Sequence, residues 1–192
     1  MTDPILFILL GIAVTAVTFL VLRRYVGFSA QAPGDYAGAE PQFDLRRHLN
    51  GPIACEGVIY GPTGRVASRF TGAFEATWDG NRGTMRERFH YDSGTVQDRE
   101  WQLSIGNDGR IQASAPDVIG TGRGDQSGPS VRLLYRLRLP EGAGGHVVDV
   151  TDWMYLTPGG AIVNRSEFRK YGIKVAELVA TMHPANVERS AA

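Results

Sequence analysis

The sequence has little to hold it together covalently. Of its 192 residues only Cys55 is a cysteine, so no intramolecular disulfide can staple the core and packing must hold it. In Ile53-Ala54-Cys55-Glu56-Gly57-Val58-Ile59-Tyr60 a free cysteine reads as a small buried hydrophobe. Charge of one sign is also lacking. Twenty basic and twenty acidic residues give a formal net charge of zero, with no electrostatic footprint for nucleic acid. Four histidines (His48, His90, His146, His183) are scattered without zinc-like spacing, and no metal or cofactor is expected. No Gly-rich phosphate loop is present. Gly120-Thr121-Gly122-Arg123-Gly124 has the wrong spacing and no following helix, and reads as a strand end and turn. No internal repeat is visible.

What the sequence does have begins with an apolar run. Residues 5–22 are unbroken apolar or small residues, about 18 in length, close to the span a helix needs to cross a bilayer. Arg23, Arg24 and Tyr25 follow as an interfacial anchor. Met1-Thr2-Asp3-Pro4 lacks the positive start of a cleaved signal peptide, which favours an uncleaved anchor over residues 1–26. The bilayer is therefore an expected partner, crossed once by this segment. Residues 27–42, rich in Ala, Gly and Pro, read as a flexible tether. Residues 43–184 form the folded domain, and 185–192 a disordered tail. Phe43 to Gly51 holds one or two helical turns, stopped at Asn50-Gly51.

From Ile53 onward the pattern is β. Candidate strands run 53–60, 65–78, 84–91, 96–105, 110–121, 131–139, 146–156, 161–171 and 173–182, joined by short polar turns. With about nine long strands and short links, the fold class is an all-β, antiparallel, up-and-down barrel, whose closure removes exposed edges. Alternation assigns the faces. Met85, Phe89 and Tyr91 share one face with Glu87. Trp101, Leu103 and Ile105 share one with Arg99.

A constant index sum relates facing residues in an antiparallel pair. Trp78 with Met85 sets Phe74 opposite Phe89, and Phe89 with Arg99 sets Glu87 opposite Trp101. Ile105 with Ile111 brings Arg99 opposite Asp117, and Leu156 with Ile162 sets Met154 opposite Asn164 and Asp152 opposite Ser166. One interior satisfies all four turns. Its polar members, Glu87, Arg99 and Asp117 on one side and Asp152, Asn164 and Ser166 on the other, admit three readings. They can be a buried network that fixes register, groups that orient a ligand among apolar walls, or an acid–base pair built on Glu87 or Asp152.

Several segments carry a resemblance: Phe43-Asp44-Leu45 with Asn50-Gly51, Glu87-Arg88-Phe89-His90-Tyr91-Asp92, Arg99-Glu100-Trp101, Ala115-Pro116-Asp117-Val118-Ile119-Gly120, Asp152-Trp153-Met154-Tyr155, Asn164-Arg165-Ser166 and Lys170-Tyr171-Gly172. Through these, residues 43–182 resemble DUF3833, a bacterial family of unknown function whose members are often lipoproteins. The resemblance implies an envelope protein with a lipocalin-like barrel and supplies no catalytic residues. It favours the periplasmic side, whereas the flanking arginines favour the cytoplasmic side. The expected function is binding of a hydrophobic or amphipathic small ligand, lipid- or fatty-acid-like. Phe70, Phe74, Phe89, Trp101, Leu133, Tyr135, Val150 and Met154 would line it, and Arg99 would receive its head. The alternatives are an enzyme acting on a lipid or isoprenoid substrate, and a filled barrel serving as an envelope scaffold.

Overall fold

Period-two alternation with Gly- and Asp-rich turns folds residues 51–184 into ten antiparallel strands. They are β1 (Gly51–Tyr60), β2 (Val66–Asp79), β3 (Arg82–Tyr91), β4 (Val96–Ile105), β5 (Arg110–Ser114), β6 (Gly122–Ser127), β7 (Ser130–Arg138), β8 (Val147–Leu156), β9 (Ile162–Lys170) and β10 (Ile173–Pro184). Each pairs with its neighbours in sequence, and β10 returns to β1 from Ile53↔Pro184 to Tyr60↔Glu177, closing the barrel. The up-and-down barrel is as expected, with ten strands instead of about nine. The computed structural model describes residues 4–185, so all but the first residue of the proposed tail lies outside the described residues.

The extra strand, β6, lies between the expected strands 110–121 and 131–139, where none was expected. The expected strand 110–121 ends at Ser114, and residues 115–121 form the connection that leads into β6. β6 escapes an alternation test because two of its inward positions are glycines, Gly122 and Gly124. The space a side chain would need is already full. A Cβ on Gly124 would lie 2.4 Å from Leu133 Cδ2 and 2.5 Å from the Arg132 carbonyl. Gly120-Gly124 is thus partly turn and partly strand.

Two registers differ from expectation. Met85 faces Ala76, not Trp78, because Asp79 pairs with Arg82 across the two-residue turn Gly80-Asn81. Glu87 faces Arg99 rather than Trp101, because the turn closes from the Tyr91 N–H to the Thr95 carbonyl. Both displacements are of two residues, which keeps every side chain on its expected face. Ile105↔Ile111, Met154↔Asn164 and Asp152↔Ser166 stand as expected.

The two ends of the barrel differ. At the lower end, carrying the β2–β3, β4–β5, β6–β7 and β8–β9 turns, the short helix α2 (Leu45–His48) is a plug. Here α1 denotes the N-terminal helix Pro4–Tyr25. Asp44 caps α2 by accepting from the Arg46 N–H at 3.0 Å. Phe43, Leu45 and Leu49 are buried in the barrel core. The Trp78 indole N–H donates to the Leu49 carbonyl at 2.8 Å, and the Leu45 N–H donates to Gln126 Oε1 at 3.0 Å. At the upper end no helix intrudes, and the inward apolar side chains of Ile59, Phe89, Tyr91, Leu139, Phe168 and Leu178 are only half-buried.

Residues 27–42, expected as a flexible tether, run along the outer wall with two 3-10 turns, Phe28–Ala30 and Pro33–Tyr36. Phe28 is buried beneath the Arg165 guanidinium, 4.5 Å from its ring. Tyr36 packs edge-on to Trp153 and Tyr155 at 5.5 and 5.7 Å. The Tyr36 carbonyl rests against Gly128, where a Cβ would be only 2.1 Å away. Over Pro4–Leu22 α1 is exposed and is long and apolar enough to cross a membrane. Filling the β6 space is the simplest test of the barrel packing. Gly124→Ala is expected to lower stability by about 1–3 kcal/mol, read as a fall in thermal midpoint.

Candidate functional site

The middle of the barrel is where the polar residues gather. Glu87 and Arg99 are cross-strand neighbours on β3 and β4, both inward by parity with Met85 and Trp101. The Arg99 guanidinium carbon sits 4.1 Å above the Trp101 ring and 5.9 Å from that of Tyr135, and the two rings meet edge-on at 5.2 Å. A cation against two aromatic faces is held in one orientation. Its Nε donates to Asp117 Oδ1 at 3.1 Å, with the Arg99 side chain 14% and the Asp117 side chain 27% exposed. Asp117 lies on the β5–β6 connection instead of a strand, yet arrives where the register expectation put it.

Opposite them, Asp152 on β8 accepts from Ser166 Oγ at 2.8 Å and from Asn164 Nδ2. Asn164 Nδ2 also donates to the Trp153 carbonyl at 3.1 Å. These three polar side chains largely satisfy one another. Met154, two residues along β8 on the same face, is buried beside them in the core.

The other cluster is only partly satisfied. Glu87 Oε2 and Arg99 Nη2 are both buried and neither has a hydrogen-bond partner. Leaving such atoms unpaired costs roughly 1–3 kcal/mol each, more when charged. Burial pushes the Glu87 carboxyl up to about 7; Arg99 opposes this, Asp152 and Asp117 add to it, and a hydrogen bond with the Trp101 side chain offsets a little of it. Burial also raises Asp152, against the hydrogen bonds of Asn164 and Ser166, and pushes the Tyr135 phenol well above its ordinary range. Cys55, buried in the core, has its thiol pushed up to about 12, mainly by desolvation, which suits the inert role expected of it.

Each expected site residue therefore lies in the barrel interior: Glu87, Arg99, Trp101, Asp117 and Tyr135 as one group, Asp152, Met154, Asn164 and Ser166 as the facing one. Sequence reasoning did not find the half-buried mouth above them. Its aromatic wall joins Phe70, Phe74, Phe89 and Tyr91, with Phe89 5.1 Å from Phe74 and 5.4 Å from Phe70. Inward parity identifies these residues, but only closure and the plug at the other end show that they form an entrance. Two open hollows of about 410 and 440 Å³ lie on the outer wall, around Gly57 and around Glu177. Among the described residues no cluster of potential metal ligands occurs.

The raised Glu87 carboxyl has a defined consequence for stability. Below pH 4.5 it is neutral in both folded and unfolded states. Between its ordinary value of 4.5 and about 7 the folded state retains the proton, so stability falls as pH rises. The full loss, on the order of 3 kcal/mol, is reached above the folded value. Glu87→Gln is expected to remove this slope, so that thermal midpoints of the two proteins converge near pH 4.5 and separate, variant higher, by pH 8. Parallel curves would show that Glu87 is not held neutral.

Comparison with known proteins agrees with this architecture. No curated protein matches the sequence. The fold is similar to an S-type phycobiliprotein lyase from Guillardia theta, with a TM-score of 0.57 and 9% identity over 74% of this chain and 91% of that one. It is also similar to Rv2717c from M. tuberculosis, with a TM-score of 0.52 and 16% identity over 77% of this chain and 99% of that one. At such identities the likeness concerns the fold alone, a closed lipocalin-like barrel. The profile of DUF3833, described as a protein of unknown function, matches residues 22–184, and the chain belongs to that family.

Proposed function

We propose that the barrel binds an amphipathic, fatty-acid-like molecule, head inward, at the surface of the membrane that α1 anchors it to. The single observation that carries this reading is the pair of buried, unpartnered atoms, Glu87 Oε2 and Arg99 Nη2. They belong to side chains on directly paired positions. A ligand carboxylate accepts from Arg99 Nη2, and from Glu87 as well when that carboxyl is protonated, which its raised value favours near and below neutrality. The cross-strand pair then acquires the partners that the protein itself does not supply. Above it, the half-buried Phe89, Tyr91, Phe168 and Leu178 suit an acyl chain. The chain enters between these side chains at the mouth.

The similar barrel of the phycobiliprotein lyase is compatible with a small-molecule role for this architecture, without assigning the ligand. A second reading, acid–base catalysis on a lipid or isoprenoid substrate, is favoured by one feature, the Glu87 carboxyl raised to about 7. Asp152 fits that role less well, being engaged by Asn164 and Ser166. Catalysis requires turnover, and binding does not.

The test uses the full chain in detergent with a fluorescent long-chain fatty acid. Saturable one-to-one binding is expected, and Arg99→Ala should weaken it by about tenfold or more, the scale of a lost charged hydrogen bond. The methyl ester of the same probe should be nearly insensitive to that substitution. Equal losses for acid and ester, or no saturable binding by the native protein, would overturn the reading.

A further inference from the structure

The exposed apolar side chains of the barrel are not scattered. Apart from Leu134 on the outer wall of β7, those among the described residues are Val66, Val96, Ile119, Tyr171 and Ile173. All five lie at the upper end: Val66 after the β1–β2 turn, Val96 after the β3–β4 turn, Ile119 in the β5–β6 connection, and Tyr171 and Ile173 at the β9–β10 turn. The lower end, sealed by α2, has none among the described residues. Four separate connections thus put apolar groups around one rim, and that rim surrounds the half-buried entrance. Tyr171 is 91% exposed and Ile173 70%. Tyr171 stands at a left-handed φ of 51°, which an aromatic residue adopts only against local preference.

From these placements we infer that the open rim docks into a lipid bilayer surface, with the Tyr171-Gly172-Ile173 tip as its deepest point. Three observations select a bilayer over another occupant. The tip is flanked by Lys170, whose ammonium lies 5.7 Å from the Tyr171 ring, and by Lys174, which is paired to Glu177 at 2.7 Å. An aromatic and an aliphatic side chain between lysines fit an interface with anionic headgroups. The apolar residues form a ring of separate points around an opening, whereas a protein partner would be met by a contiguous patch. Finally, the chain leaves little slack. Phe28 is already buried on the outer wall only three residues after α1 ends at Tyr25. Three residues span at most roughly 10–11 Å. With α1 across the bilayer, the barrel must rest at its surface, and the apolar rim is the face suited to meet it. Docked in this way, the entrance opens onto the acyl region, so an amphipathic molecule can pass between bilayer and barrel without crossing water. This last step rests on the proposed binding function; the docking itself does not.

The lone cysteine makes the test practicable. Cys55 is buried with its thiol pushed up to about 12, so a thiol-specific nitroxide label reacts with an introduced cysteine in preference. Full-length Ile173→Cys and, at the opposite end, Asn107→Cys are labelled and reconstituted into phosphatidylcholine vesicles containing phosphatidylglycerol. Relaxation by oxygen, which concentrates in the bilayer, is compared with relaxation by a water-soluble nickel complex. The ratio of oxygen to nickel accessibility at position 173 is expected to exceed that at 107 by about threefold or more, as for a side chain at the headgroup–acyl boundary. Equal, water-like ratios at both positions would overturn docking, as would immobilisation of the 173 label in detergent at rising protein concentration, the mark of a second copy of the chain. Circular dichroism establishes that each labelled protein keeps its sheet, and Ile119→Cys replaces position 173 if that variant does not. Water-like ratios together with intact fatty-acid binding would remove docking alone and leave the binding function standing.

Discussion

A guanidinium inside a protein has to be compensated, and the interior of this barrel is arranged around that requirement. Arg99 lies over the Trp101 ring at 4.1 Å and donates from Nε to Asp117. Two aromatic faces and a carboxylate account for part of the charge. One terminal nitrogen, Nη2, is left buried and unmatched, and so is an oxygen of the cross-strand Glu87. A half-satisfied buried network is less stable than either a complete one or an apolar replacement. Under the proposed binding function, the ligand's head completes this network.

The two ends of the barrel differ in a way that gives the proposed entry a direction. The plug of Phe43, Leu45 and Leu49 seals the lower end, and its Trp78 and Gln126 hydrogen bonds fix it to β2 and β6. The lower interior is packed with buried aliphatic side chains such as Ile53, Ile111, Val131 and Ile162. Above the polar layer the inward side chains become half-buried, with Phe89, Tyr91 and Phe168 among Ile59, Leu139 and Leu178. The order from bottom to top is therefore apolar and closed, then polar, then apolar and open, which is the order the proposed binding function requires. The facing group of Asp152, Asn164 and Ser166 is largely self-satisfied, which suits a structural role in holding β8 against β9.

Much of this is legible in the sequence because face assignment depends on parity alone. The Glu87 and Arg99 registers are each displaced by two residues from a simple turn count, yet both side chains still point inward, since a shift of two returns a residue to the same face. Asp117 was reached by extending the β5 register, although the strand itself stops at Ser114. What was hidden is equally specific. β6 carries Gly122 and Gly124 where alternation would look for large apolar residues, because Leu133, Tyr135 and the backbone of β7 already occupy that space. The segment 27–42 has the composition of a linker, but Phe28 and Tyr36 are sufficient to hold it on the outer wall. The difference between the two ends depends on where α2 lies, which is a tertiary fact with no local signature.

The central claim is that the unmatched guanidinium nitrogen of Arg99 receives the head of an amphipathic ligand. Nitrogen-15 NMR of the arginine side chains tests it most directly, with the full chain in detergent titrated with a long-chain fatty acid. The account predicts that the Arg99 guanidinium resonances shift and saturate at one equivalent, while those of the surface-paired Arg86 and Arg88 stay in place. Arg99 resonances that do not move while the fatty acid binds elsewhere, or that move only in step with every other arginine, would contradict it.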